Sequence, residues 1–427
     1  MVETKMTLTS DEMDLLEGKE GKTLQKIMET LVRYGDAFSA DCFVPLDGPS
    51  HLVGCYATPA TEPYVHLVEK LVEEGFKTKL PFTSNPLPFD YDNVEYTQAE
   101  RNINDDIHAQ QNKLEEMLLK IGLVNKNAFT CTCYLDEVGN VPKKGDNLAW
   151  AESSAVSFAN SVLGARTNRN SGIVDLFCAI VGKAPRFGLL TDEGRKADWI
   201  IEVKTTCLPD PHVLGSAIGQ KVIEQVPYIK GLDKFSPQAN IAVNDYLKEM
   251  GASCAANGAV GLYHVENTTP EAKEMGNGLI RSEAKTYVID DNELTRIAAA
   301  YPLMWKKPDA PPDIAFVGCP HYSYDQLCQW TQSIEDELKQ QSKQKLSIKT
   351  VFAAAVPVIE KFKQSEFYPR LISYGADLSH ICPLLYTVNP LCAEKNIISN
   401  SNKLRTYSLS RYVDDAELLK IIVKGGI

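Results

Sequence analysis

Residues 149–172 read AWAESSAVSFANSVLGARTNRNSG, a run dense in side chains that bind anions and hydroxyls. Glu152, Ser153, Ser154, Arg166, Thr167, Asn168 and Arg169 all lie in it. The uncharged stretch 153–165 has small residues at helical spacing and predicts a buried helix. After Gly164 the pattern predicts a loop carrying two arginines three residues apart. A guanidinium presents a planar fork of N–H donors to a carboxylate or phosphate. The loop therefore suits a small acidic molecule, and it equally suits a solvated polar surface.

The sulfur chemistry is scattered. Gly318-Cys319-Pro320-His321 ends a short apolar stretch, 314–317, that reads as a strand. In open α/β sheets ligands bind beyond such strand ends. Cys131, between Thr130 and Thr132, and Cys382, after Gly375-Ala376-Asp377, lie in two further segments. Three thiolates from separate segments could hold iron and leave one position for substrate. Eleven cysteines allow many such triples, and a buried free thiol is also simply a small core residue. Ser399-Asn400-Ser401-Asn402-Lys403 is a polar loop with one cation, suited to a carboxylate or to a helix cap. Asn85 sits in the turn Thr83-Ser84-Asn85-Pro86. His51, after Gly48-Pro49-Ser50, could bind substrate or carry a proton, and His321 shares the strand end of Cys319.

These side chains need a scaffold. Thr9 and Glu12 form a capping box ahead of an N-terminal helix. Apolar stripes predict helices over 22–34, with Gly35 as a stop, over 63–74, and over 98–121 ending at Gly122. Residues 128–135 alternate like a strand. Later the chain repeats strand and helix: strands at 199–203, 260–265, 314–317 and 349–353, helices at 247–256, from Ser323, and after Pro357. That alternation predicts an α/β fold with a largely parallel sheet. The proline-rich stretch 306–312 suggests a boundary near residue 310, dividing the chain into 1–310 and 311–427.

Composition narrows the function. Of 427 residues, 44% are apolar and 23% charged, with a net charge of −12. That excludes disordered and collagen-like chains. It also argues against nucleic-acid or anionic-membrane partners. The longest apolar run, near 351–359, is about ten residues and Pro357 interrupts it, whereas a spanning helix needs roughly 20. No secretory leader is visible, so a cytoplasmic protein is expected.

At the level of whole motifs the chain resembles the large subunit, or catalytic domain, of the aconitase X family. The 149–169 block is similar to the family's AWAESSAV-x-x-ANSVLGARTNR run. Thr130-Cys131-Thr132, Asn257-Gly258-Ala259-Val260, Thr269-Pro270-Glu271-Ala272, Gly318-Cys319-Pro320-His321 and Ser399-Asn400-Ser401-x-Lys403 support it in order. The resemblance implies an aconitase-like core of parallel-sheet α/β subdomains without the swivelling small domain. It implies dehydration of a small hydroxy acid at iron or an iron–sulfur cluster held by Cys131, Cys319 and Cys382. The base would come from a separate small swivelling-domain subunit, so none is assigned on this chain. His51, Asn85, Glu152, Ser153, Ser154, Arg166, Thr167, Asn168, Arg169, His321, Ser401 and Lys403 are the expected substrate contacts. Two activities are familiar in the family, cis-3-hydroxy-L-proline dehydratase and mevalonate 5-phosphate dehydratase. Without a recognisable phosphate pocket the residues lean to the first. Cys133, Ser84, Leu190, His380 and Asn402 depart from the family pattern near the presumed site.

Overall fold

Buried apolar side chains gather into separate cores along the chain. One runs from Met6 to Leu190, one from Ile201 to Ile297, and one from Trp305 to Val423. The computed structural model describes residues 3–235 and 242–426. The stretch 1–310 thus holds two of these cores. Among the described residues no helix is long and apolar enough to cross a membrane.

The C-terminal sheet is wholly parallel. Its order is Ala376–Ser379, Lys349–Ala354, Ile314–Tyr322, Ile397–Ser399 and Arg411–Tyr412. The strand that comes first in sequence is the central one and is buried along its whole length. The next two strands lie on one side of it and the last two on the other. The chain therefore reverses its direction of travel between Ile314–Tyr322 and Ile397–Ser399, and a crevice opens at the carboxyl ends of that pair. A second parallel sheet, ordered His264–Val265, Pro227–Lys230, Ala197–Val203 and Ile280–Ile289, carries the middle region. The expected α/β architecture with parallel sheets is borne out. The first region is mostly helical, with two short strand pairs, Ser50–Leu52 with Phe82–Ser84 and Phe43–Pro45 with Lys183–Pro185.

Several local expectations hold. The capping boxes at Thr9 and Ser323 are present, and Ala197–Val203 and Lys349–Ala354 are strands. Others change for identifiable reasons. The helix predicted over 98–121 is two, Gln98–Ile107 and Gln111–Ile121. At the break His108 Nδ1 lies 2.8 Å from the Tyr56 carbonyl and Gln111 Oε1 accepts from the Tyr56 N–H at 2.7 Å. The helix is interrupted to satisfy a buried backbone. Gly35 does not stop its helix, which continues as Lys22–Ala37. A Cβ there would sit 2.5 Å from the Met6 sulfur, so this glycine serves close packing. Residues 128–135 form no strand beyond one bridge from Phe129 to Ser84. Every residue from 128 to 134 is buried, so their apparent alternation marks no exposed face. Of the 260–265 stretch only His264–Val265 is strand.

Candidate functional site

The crevice at the sheet reversal is built by a bulge. Val317 pairs with Phe352 and Tyr322 with Ala354, so residues 318–321 stand opposite Ala353 alone. Gly318 makes this possible. Its φ is +99° and a Cβ would lie 2.4 Å from the Ala353 carbonyl oxygen. Cys319 is thereby taken out of the pairing register with Lys349–Ala354, and Ser401, at the start of the helix Asn402–Tyr407, donates to the Cys319 carbonyl.

A cavity of about 350 Å³ lies in front of this bulge. Cys131, Cys319 and Cys382 all line it, as do Asn85, Glu152, Ser153, Arg169, His321 and Lys403. The structure thus brings the three thiols and six of the twelve expected substrate contacts to one space. As the side chains stand, no three His, Cys, Asp or Glu groups among the described residues form a cluster that could hold a metal ion. Burial is the main reason that all three thiols titrate above their usual range, Cys131 being pushed up to about 12.

Glu152 and Lys403 form a buried ion pair at 2.5 Å in the wall. Glu152 also caps the helix Ser153–Phe158, accepting from the Ala155 N–H and the Ser154 hydroxyl, each at 2.7 Å. Burial works to raise its pKa. The Lys403 charge and these hydrogen bonds overcome it and hold the carboxyl down to about 2. Burial likewise opposes the Lys403 charge, yet Glu152 and the nearby thiols keep the amine protonated above its ordinary range.

The other expected contacts have structural roles behind the wall. Thr167 accepts from the Trp150 N–H and donates to the Asn168 carbonyl. Asn168 bridges the Phe187 carbonyl and the Leu189 N–H. Arg166 pairs with Asp192 at 2.5 Å. Ser154 supports the Glu152–Lys403 pair from beside it. His51 is fully buried, with Nδ1 2.9 Å from the Thr83 hydroxyl, and burial lowers its pKa to about 4. None of these, nor Ser401, lines the cavity. Asn160 shows the same economy: it bonds the Thr167 N–H and carbonyl, the Gly261 carbonyl and Arg195. The polar letters of the 149–170 block largely fasten its own turn.

Arg169 differs from Arg166. It is exposed at the cavity rim, donates to the Ala255 carbonyl at 3.1 Å, and has no carboxylate partner among the described residues. Sequence reasoning missed Val53, Tyr407 and the Pro383-Leu384-Leu385 turn, which supply the apolar part of the lining. Asn170, which belongs to the polar run but not to the expected contacts, also lines the cavity, held by Tyr34 and Asp175. No spacing rule marks such residues, because they reach the cavity from four different segments.

Of the residues that depart from the family pattern, Cys133 is fully buried outside the cavity. Ser84 donates to the Leu52 carbonyl, and Asn402 donates to the His212 carbonyl and Ser253. His380 faces Asp90 at 3.2 Å.

Comparison with known proteins agrees with this picture. Residues 5–193 match the model of the aconitase X first domain and residues 197–299 that of the aconitase X second domain. The chain is 33% identical to the phosphomevalonate dehydratase large subunit of Thermococcus kodakarensis, over 97% of this chain and 99% of the relative. It is 29% identical to the cis-3-hydroxy-L-proline dehydratase of Pseudomonas aeruginosa, over 74% of this chain and 52% of that protein. A crystal structure of Thermococcus kodakaraensis aconitase X in its holo-form superposes with a TM-score of 0.80 at 30% identity, covering 97% of this chain and 99% of that one.

Proposed function

As this chain belongs to the aconitase X family, we propose that it is the large subunit of a dehydratase acting on mevalonate 5-phosphate. The observation that carries the dehydratase reading is the cavity wall: three thiols from three segments, a buried ion pair and one unneutralised arginine face the same space. The substrate follows the phosphomevalonate dehydratase relative, which matches more of this chain at higher identity than the hydroxyproline enzyme does. Cis-3-hydroxy-L-proline, to which the residues alone lean, becomes the second reading.

Loss of water from a β-hydroxy acid breaks a C–H bond beside the carboxylate and a C–O bond one carbon further on. Arg169 binds the carboxylate, since its guanidinium has free N–H groups at the rim. Lys403 and Ser153 face the bound molecule with donors of their own. Glu152 is unsuited as the base. A carboxylate held near 2 and already accepting several hydrogen bonds has little affinity for a proton. The base is therefore assigned to a small partner subunit that closes the cavity.

The donor set fits iron in its chemistry, being three soft thiols in one buried space. An iron or iron–sulfur centre on Cys131, Cys319 and Cys382 would supply a Lewis acid that makes the hydroxyl a better leaving group. Burial holds the three thiols protonated, so iron uptake releases protons, and the thiol side chains must turn toward one another to share a metal.

The test is turnover by anaerobically iron-loaded protein supplied with its small subunit, with both substrates. Mevalonate 5-phosphate is expected to be dehydrated with at least roughly tenfold higher kcat/KM than cis-3-hydroxy-L-proline. The reverse preference would transfer the site to the second reading. Tight binding of both without turnover would mark a hydroxy-acid-binding homologue.

A further inference from the structure

His321 touches every segment that carries a cavity thiol. Two residues before it lies Cys319. Its Nδ1 is 2.9 Å from the hydroxyl of Thr130, the neighbour of Cys131. Its Nε2 is 3.0 Å from the carbonyl oxygen of Ile381, the neighbour of Cys382. Its backbone N–H donates to the Cys131 sulfur at 3.3 Å. The ring is 1% exposed, so no solvent competes for these bonds.

The hydrogen positions follow from what each partner can do. A carbonyl oxygen only accepts, so Nε2 carries the ring proton and gives it to Ile381. A second ring proton would put an unpaired charge in a site closed to solvent, so Nδ1 is an acceptor and the Thr130 hydroxyl donates to it. Thr130 is free to do so. Its oxygen already accepts from the Thr132 N–H at 3.1 Å, and the Thr132 hydroxyl, also at 3.1 Å, supplies a further donor. Both ring nitrogens are thus occupied by protein, and neither remains for substrate.

We infer that His321 is a positioning residue: a neutral Nε2–H imidazole that ties the Thr130-Cys131, Cys319 and Ile381-Cys382 segments together and sets the relative placement of the three thiols. The tie is held from behind, because Lys248, itself buried, donates to the His321 carbonyl at 3.2 Å. The inference rests on the assignment of the three cysteines as iron ligands. Groups that orient the ligands of a metal act through affinity and retention.

The first test needs no metal. With histidine labelled by ¹⁵N in a protein of seven histidines, the resonance lost in His321→Gln is expected to be an Nε2–H tautomer. Thr130→Val is expected to disturb its Nδ1 signal and Thr130→Ser to restore it. A proton on Nδ1 would overturn the inference. The second test measures iron loss to a chelator from anaerobically reconstituted protein. His321→Phe and Thr130→Val are expected to lose iron at least roughly tenfold faster than wild type. His321→Gln, which keeps a donor for Ile381, should fall between, and Thr130→Ser should match wild type. Circular dichroism and thermal midpoints separate this from misfolding. Because His321→Phe risks failing to fold, the Thr130 pair carries the comparison if it does. Iron lost by Cys131→Ser, Cys319→Ser and Cys382→Ser but retained at the wild-type rate in the His321 and Thr130→Val variants would overturn this inference alone. Full retention in all three cysteine variants would instead sink the ligand assignment and the inference with it.

Discussion

Asp175 is a fully buried carboxyl that, among the described residues, has one hydrogen bond, from Asn170, and no partner for its second oxygen. Burial pushes it up to about 7. An unfolded aspartate titrates near 3.9, so the folded chain binds this proton more tightly. Stability is then greatest below about pH 4 and falls as pH rises to about 7, by up to roughly 4 kcal/mol for this group. In Asp175→Asn the fall in unfolding free energy between pH 4 and 8 should be smaller by that order; an unchanged slope would contradict it. The two arginines make the opposite point about charge. Arg166 is neutralised by Asp192, whereas Arg169 stands free at the rim. Arg169→Met should raise KM for an anionic substrate by roughly tenfold or more with the thermal midpoint unchanged. Arg166→Met should leave KM near wild type. The sequence presents these arginines as equivalents three residues apart. Only the position of Asp192, 26 residues further on, tells them apart.

At the scale of elements, the bulge at 318–321 is the feature that makes the site. Gly318→Ala would force a left-handed residue to carry a Cβ against the Ala353 carbonyl. A loss of roughly 2–4 kcal/mol is expected in denaturant unfolding, together with loss of iron retention. Asn160 fastens the turn after the helix that Glu152 caps. Asn160→Ala strands the Thr167 backbone groups and one donor of buried Arg195, with an expected loss of about 3 kcal/mol or more. Capping boxes, the strand read at 199–203 within Ala197–Val203 and the strand-helix alternation were legible because their signals are local. The break at His108–Gln110 was not, because its cause is the Tyr56 backbone, some fifty residues away. The 128–135 segment misled for a related reason. Its letters alternate as a strand's do, but with every residue from 128 to 134 buried that alternation marks no sheet face.

At the scale of the molecule, the cavity lies where separate regions meet. Cys131 comes from the N-terminal region, and Cys319 and Cys382 from the C-terminal one. A metal bound by all three would cross-link two regions and bind the folded chain alone, which stabilises it by mass action. Chelation of iron-loaded wild-type protein should lower its thermal midpoint. Cys319→Ser should show little difference with or without chelator, and an equal drop in both would argue against cross-linking by these thiols.

The sequence by itself determined the fold class and the family, and through the family's motifs it pointed to the three thiols that line the cavity, because strand-helix periodicity and contiguous motifs are properties of neighbours along the chain. Tertiary structure decided which polar residues of the 149–170 block face the cavity and which bind their own backbone. It also decided that His321 has no nitrogen to offer a substrate. Those outcomes depend on partners tens to hundreds of residues away, and a buried donor goes to whichever acceptor folding brings within about 3 Å.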